Sequence, residues 1–181
     1  MIEQGLQQEI NMVMTEARNR RLEFVTVEHL LLALLNMDEV IAFLRGKRVN
    51  IDELRAELDQ YIDSHTPIIS EDAEIDIVPT VGFQRVLQRS VYQAQSAQKN
   101  SVNAMNVFVS IFSEKESHAV YMLKLNNISR LDVMEGISSH LAENPVEETK
   151  KVEADKQAKP SSLESFTTNL CEKARLGEID P

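Results

Sequence analysis

The sequence predicts an all-α fold of two tandem four-helix repeats related by a pseudo-two-fold axis. Only five glycines and five prolines occur in 181 residues, which favours long regular elements over many short strands. Aromatic residues make up 5% of the chain, a low share for a β-sandwich or barrel. Apolar residues recur at helical spacing in block after block, and the pattern of the first third of the chain returns later.

Residues 1–64 form the first predicted repeat, with four helices marked by apolar residues. Thr26 is placed to cap the second helix by accepting from its first free N–H groups. The fourth helix is predicted to begin at Asn50 or Asp52. In chain order, the helices are marked by Leu6, Ile10, Val13 and Ala17, by residues 27–36, by residues 40–44, and by Ile51, Leu54, Leu58 and Ile62.

Residues 83–141 form the second predicted repeat, after a loop over residues 65–82 that contains two prolines and four acids. A constant offset of 77 residues superimposes the two apolar patterns over about fifty positions without a gap. The cap recurs as well, since Asn103 falls where Thr26 lies. The matched positions include Leu6 with Phe83, Ile10 with Leu87, residues 30–35 with 107–112, Ile51 with Ile128, and Leu54 with Leu131.

The C-terminal part of the chain is predicted to differ in kind. Residues 142–165 are mostly Glu, Lys, Ala, Pro and Ser, with too few large apolar side chains to offset the entropy of ordering. They are predicted to form a flexible, disordered linker. Residues 166–181 then resume a short helical pattern, with Thr167 or Thr168 as its cap and Gly177 at its end.

Composition argues against several classes of ligand and location. The net charge of −10 would repel a phosphate backbone, so nucleic acid is not expected as a partner. The longest apolar stretch, residues 30–35, is too short to span a bilayer, and the N-terminus lacks a signal-peptide pattern. A single cysteine, Cys171, forms no internal disulfide and fits a reducing compartment. A cytoplasmic protein without a membrane segment is expected.

No catalytic motif is apparent in the sequence. No two glycines have the spacing of a P-loop, and neither G-x-S-x-G nor H-E-x-x-H occurs. Glu114 and His118 supply two metal ligands at most, so no metal site is predicted. Two hypotheses remain: a helical docking module, which the missing motifs favour, or an enzyme whose site is built from unmarked residues.

Glu23 and Glu28 flank the start of a densely apolar helix, and neither acid recurs in the second repeat. At the 77-residue offset, Glu23 falls on Asn100 and Glu28 falls on Met105. Both acids are therefore interpreted as free to contact a partner rather than required by the fold. The alternatives are that Glu28 stabilises the positive end of its own helix and that Glu23 is simply solvated.

Charge differs between the two repeats in a way that could orient a charged protein partner. Residues 1–64 hold twelve acids and seven bases, whereas residues 83–141 hold four acids and six bases. Arg85 and Arg89 are spaced to be exposed on one face of a helix, which in most proteins is only a solvated polar face.

The stretch FVTVEHLLLALL, together with the duplication, resembles the double Clp N-terminal repeat. The stretches PTVGFQRVLQRSV, VFVSIFSEKESHAVYMLKLNNISRLDV and FTTNLCEKARLGEIDP are similar to ClpA-type unfoldases in particular. The resemblance covers nearly the whole chain except residues 142–165. It implies an all-α docking domain, with residues 166–181 at the start of an AAA+ module that this sequence does not contain.

The resemblance also implies partners and site residues. Family members bind the adaptor ClpS, which delivers N-end-rule substrates, and they act as hexameric ATPases with ATP and magnesium on the ClpP peptidase. Family positions that face the adaptor match Glu23, Glu28, Thr80 and Arg85.

Further family positions bear on substrate and metal binding. Arg89 and Arg130 match basic positions linked with substrate or adaptor contacts. Some members have been associated with zinc, but Leu22 stands where a histidine ligand would be expected. The resemblance thus implies no cofactor for these residues, a monomer for the isolated domain, and direct binding of unfolded or tagged substrates as the alternative function.

Overall fold

The computed structural model describes residues 1–74 and 77–143, with the backbone alone for residues 140–143. The predicted all-α class is confirmed, since helices make up nearly all of the regular structure in these ranges. The elements, in chain order, are α1 Gln4–Asn19, β1 Phe24–Val25, α2 Val27–Leu34, α3 Asp38–Gly46, α4 Ile51–His65, β2 Val78–Pro79, α5 Val81–Ser96, α6 Ala104–Ile111, α7 His118–Leu125 and α8 Arg130–Glu143.

The two repeats match in register through their second helices and then shift. Both ends of α1 and α2 map onto α5 and α6 at an offset of 77 residues. Beyond α6 the offset is 79, because the turn before α7 is longer than the turn before α3. Val49 N–H donates to Leu44 O at 3.0 Å, and the equivalent bond runs from Ile128 N–H to Leu123 O at 2.9 Å.

The predicted pairings of Ile51 with Ile128 and of Leu54 with Leu131 are therefore wrong. Leu131 is 64% exposed, whereas Leu54 and Val133, which the 79-residue offset pairs, are both buried. Apolar residues are frequent enough in these helices for a two-residue slip to leave several of them superimposed. Burial, which the sequence does not state, distinguishes the two alignments.

Helices α2 and α6 form the centre of the core. In each of them seven of eight residues are buried, so both helices are enclosed by protein around nearly their whole circumference. Phe108 of α6 is fully buried and meets the rings of Phe43 and Phe112 edge to face, at centroid distances of 6.0 Å. The remaining helices surround this pair and bury one face each.

Side chains cap α4, α5 and α6, and Asn50 rather than Asp52 caps α4. The Asn50 side chain accepts from Glu53 N–H, and the Thr80 hydroxyl accepts from Phe83 N–H at 3.3 Å. At α6, Asn103 and Asn106 form a reciprocal capping box. In the matching box of α2, Nδ1 of His29 accepts from Thr26 N–H at 3.1 Å.

Two short parallel strands join the repeats, and the sequence did not predict them because two residues carry no periodic pattern. In β1 and β2, Phe24 pairs with Val78 and Val25 pairs with Pro79. A parallel bridge also joins Ile2 to Val102. At the 77-residue offset, Pro79 is the counterpart of Ile2 and Val25 is the counterpart of Val102. The pseudo-two-fold relation therefore exchanges the Ile2–Val102 contact with the Val25–Pro79 contact.

The hydrogen bonds show the same exchange. Glu3 N–H donates to Val102 O at 3.0 Å, and its counterpart Thr80 N–H donates to Val25 O at 2.9 Å. The start of each repeat therefore pairs with the segment before the second helix of the other repeat. We call these two sets of contacts the crossed pairs.

The connection between α4 and α5 is slightly shorter than the predicted loop, because α4 extends to His65 and α5 begins at Val81. Of the predicted linker, residues 142–143 continue α8, and the rest lies outside the described residues, as do residues 166–181 and Cys171. Within the described ranges, the helices are too short or too polar to cross a membrane.

Candidate functional site

Three exposed apolar side chains mark the surface formed by β1, β2 and the first turn of α5. Phe24 and Val78 are paired in register and are 37% and 51% exposed, and Val81, at the start of α5, is 72% exposed. Glu23, also exposed, precedes Phe24, and its carbonyl accepts from Val78 N–H at 3.5 Å. We call the surface formed by Glu23, Phe24, Val78, Thr80, Val81 and Arg85 the ribbon surface.

Thr80 and Arg85 are held in this surface by α5. Thr80 is fixed by its two hydrogen bonds, from its N–H to Val25 O and from Phe83 N–H to its hydroxyl. Nε of Arg85 lies 3.1 Å from Oε1 of Glu114, and the Arg85 side chain remains 53% exposed. Because the pair uses Nε of the guanidinium, the outer N–H groups remain as hydrogen-bond donors.

Gly82 allows the first turn of α5 to lie close to the start of α2. A Cβ at this position would lie 3.3 Å from Cγ2 of Val27 and 3.5 Å from Oε2 of Glu114. The first turns of α2 and α5 and the Glu114 side chain are therefore neighbours. Thr80 and Arg85 therefore lie near the start of α2, and their joint action with Glu23 stays a prediction.

Glu28 differs from this group, and the interpretation that the fold does not require it is wrong. Its side chain is buried, with 6% of the residue exposed, and Oε1 accepts from Ala119 N–H in the first turn of α7 at 3.2 Å. Glu28 thus caps a helix of the other repeat, where the helix dipole favours a negative charge. The repeat comparison missed this role because a contact between repeats has no counterpart within either repeat.

His29, next to Glu28, is buried to 2% exposure, and sequence reasoning did not single it out. Its burial lowers the pKa from 6.5 to about 4, opposed by the nearby Glu28 carboxylate and reinforced by Arg20. Since Nδ1 accepts from a backbone N–H, the proton of the neutral ring resides on Nε2. The capping-box position, three residues after Thr26, is the sequence signal that could have identified it.

Arg89 and Arg130 are both exposed, but their settings differ. Arg89 follows Arg85 by one helical turn in α5, so it extends the ribbon surface along that helix. Arg130 is the first residue of α8, near Asp132, which pairs with Lys47 of α3 at 2.7 Å. No contact among the described residues links Arg130 to the ribbon surface.

Leu22, where family resemblance suggested a histidine, is buried and bridges Ile68 across the connection between the repeats. Among the residues described by the structure, no group of three or more His, Cys, Asp or Glu side chains is arranged to hold a metal ion.

Comparison with protein families identifies the domain. Residues 1–126 match the model of the Clp repeat (R) N-terminal domain. The chain belongs to this family. A ClpA homologue protein of Fuscovulum blasticum is 34% identical over 190 aligned residues, which include 97% of this chain and 24% of the relative. The chain thus spans about a quarter of the length of that relative.

Solved Clp-type N-domains share the fold. The N-terminal domain of Hsp104 from Candida albicans has a TM-score of 0.64 at 12% identity, covering 75% of this chain and 87% of that one. A ClpV N-domain in complex with a VipB peptide has a TM-score of 0.57 at 15% identity, covering 73% and 81%. At these identities the likeness supports the Clp N-domain fold alone.

Replacing Glu28 with alanine is expected to lower the free energy of unfolding. The substitution leaves the buried Ala119 N–H without its acceptor, which costs about 1–3 kcal/mol. Urea denaturation measures the change, and Glu23→Ala, an exposed acid five residues away, serves as the control with a change within about 0.5 kcal/mol. Equal stability of the two variants would show that the Glu28 carboxylate does not join the repeats.

The low pKa of His29 predicts a loss of stability in mild acid. Between pH 6.5 and about 4 the unfolded chain binds a proton at this ring that the folded protein does not. The free energy of unfolding therefore decreases as the pH is lowered through this range. The full loss is roughly 3 kcal/mol.

The matched variant for this pH effect is His29→Gln. Glutamine suits the same capping-box position and does not titrate. Urea denaturation at a series of pH values should therefore show a smaller decline for the variant than for the original protein. Parallel declines would contradict the assignment to His29.

Proposed function

We propose that this chain is the docking domain of a ClpA-type unfoldase and that its ribbon surface binds the adaptor ClpS, which delivers N-end-rule substrates. The observation that carries the proposal is the group of three exposed apolar side chains on backbone fixed by the crossed pairs. Clustered apolar side chains with a charged rim are typical of protein-binding sites. Glu23 and Arg85, whose side chains are both exposed, supply that rim.

The charges of the ribbon surface have a different role from its apolar residues. Phe24, Val78 and Val81 would lose contact with water on docking, which provides the favourable free energy. Charges at the rim chiefly raise the association rate and exclude wrong partners. Glu28, buried beneath, acts in this account by fixing α2 against α7 and so supporting the surface.

The relatives support a docking role, and the longer protein is part of the proposal. The ClpV N-domain, which shares this fold, forms a complex with a peptide. The chain spans about a quarter of the ClpA homologue, so we propose that it is part of a longer unfoldase. In this proposal the unfoldase is hexameric and cytoplasmic, and its AAA+ modules use ATP and magnesium and act with ClpP. The chain itself carries no ATPase activity in this proposal.

A second candidate function, direct binding of unfolded or tagged substrates, is favoured by a groove between α4 and α7. This groove has a volume of about 340 Å³, and its walls include Tyr61, His118, Tyr121 and Leu125. Tyr61 and His118 stack at a centroid distance of 3.7 Å, while Tyr121 and Leu125 are 55% and 62% exposed. Such ring faces and apolar edges suit an extended chain with large side chains.

Titration of the chain with purified ClpS tests the adaptor proposal. Phe24→Ala and Arg85→Glu are each expected to weaken binding about tenfold or more, because one removes apolar contact area and the other reverses a rim charge. Calorimetry with and without an N-end-rule peptide measures the affinity. Tyr92→Ala and Arg45→Glu are matched controls in exposed parts of α5 and α3, and each should bind like the original.

Failure of the unaltered chain to bind ClpS would refute the adaptor proposal. A fluorescent unfolded protein added without adaptor then tests the groove, with Tyr121→Ala as the variant. Binding that depends on Tyr121 but not on Phe24 would favour the direct-binding alternative.

A further inference from the structure

A polar cavity lies between α1, α2 and α4, on the far side of His29 from its capping contact. It has a volume of about 230 Å³, and its polar lining is Glu16, Arg20, His29, Asn36, Arg55 and Asp59. All of these residues belong to the first repeat. We call it the His29 cavity.

His29 and Arg55, which line the His29 cavity, each have a buried donor without an acceptor. Neither Nε2 of His29 nor Nε of Arg55 has a hydrogen-bond partner among the described residues. The Nε2 atom carries the ring proton, because Nδ1 accepts from Thr26 N–H. Arg55 is held in place by a bond from Nη2 to Leu35 O at 3.0 Å, so its Nε–H has a fixed direction. Buried donors are rarely left unsatisfied, which makes two in one cavity notable.

The second repeat shows that the fold does not require this arrangement. Asn106 stands at the position of His29, and at the 79-residue offset Met134 stands at the position of Arg55. There the polar groups satisfy each other: the Ser110 hydroxyl donates to Oε1 of Gln93 at 3.3 Å, and Gln93 is the counterpart of Glu16. Among the described residues, the buried side-chain donors without a partner, Nε2 of His29 and Nε of Arg55, both belong to the first repeat.

The charges of the cavity favour a small ligand. Arg20 contacts both Asp59, at 3.6 Å, and Asp63, so two carboxylates more than neutralise its charge. Glu16 is exposed at the mouth. These carboxylates would repel a polyanion, whereas a small oxyanion adds little charge and is held by hydrogen bonds from His29 and from the guanidinium of Arg55, which supplies the opposite charge.

We propose that the His29 cavity is a binding site for a small oxyanion, a carboxylate or a phosphate group, held between Nε2–H of His29 and Nε–H of Arg55. Both hydrogen bonds place an acceptor on donors that are otherwise unsatisfied. Binding connects α2 to α4, so the ligand stabilises the folded protein by an amount that grows with the logarithm of the ligand concentration above Kd.

The test observes the His29 ring by NMR while acetate or inorganic phosphate is added at neutral pH, with sodium chloride keeping the ionic strength constant. We expect a saturable shift of the ring signals with at least one of the two anions and none with chloride. Saturation by acetate alone identifies a carboxylate ligand, and saturation by phosphate alone identifies a phosphate ligand. If neither anion saturates the signals, the cavity holds water only and the proposal is overturned.

Variants copied from the second repeat localise the site. Arg55→Met and His29→Asn introduce the residues found at the equivalent positions, and each should weaken anion binding about tenfold or more, as loss of a hydrogen bond to a charged group implies. Anion binding to the Arg55→Met variant is measured from the His29 ring signals. The His29→Asn variant lacks this ring, so its anion binding is measured from the protection that the anion gives against thermal unfolding. Arg45→Met, which removes the same charge from an exposed position in α3, should bind like the original. Unchanged binding by both cavity variants would overturn the proposal.

Discussion

The crossed pairs are the constraint on which the rest of the structure depends. Each repeat begins with a segment that pairs outside its own repeat. This segment bonds to the residues before the second helix of the other repeat, as Glu3 does with Val102 and Thr80 does with Val25. Backbone bonds of this kind fix distance and direction together. They set the start of α5 beside the start of α2, and the absence of a Cβ at Gly82 allows this close approach. The buried bond from Ala119 N–H to Glu28 then ties α7 to the same corner.

The two crossed pairs are equivalent in backbone but not in the side chains around them. At the start of α5 they present Phe24, Val78 and Val81 to solvent, with Thr80 as cap. At the start of α1, Val102 N–H donates to Met1 O at 2.9 Å, and the Ser101 hydroxyl donates to the Glu3 carboxylate at 3.2 Å. Met105, the counterpart of Glu28, is simply buried in the core. A shared scaffold thus carries one candidate docking surface, and the duplicated half is free to differ.

The sequence was sufficient to predict the helices, the duplication and most caps, because apolar spacing and capping residues act locally. It failed where a property depends on two distant segments. Glu28 was interpreted as a free acid since its acceptor role involves Ala119, 91 positions away. The strands were not predicted because two residues each, Phe24–Val25 and Val78–Pro79, are too few to show an alternating apolar pattern. The shift of the repeat offset after α6 was hidden because apolar residues also coincide in the slipped alignment. Phe24, Val78 and Val81 were missed because exposure cannot be read from an apolar residue alone.

The most direct test of this account is an NMR titration of the isotope-labelled chain with unlabelled ClpS, following the backbone amide signals. The account predicts that the largest changes cluster at Glu23, Phe24, Val78, Val81 and Arg85, while the symmetry-related segment from Ser101 to Met105 is unaffected. Changes centred on Ser101 to Met105, or spread evenly over both segments, would contradict the assignment of docking to the ribbon surface.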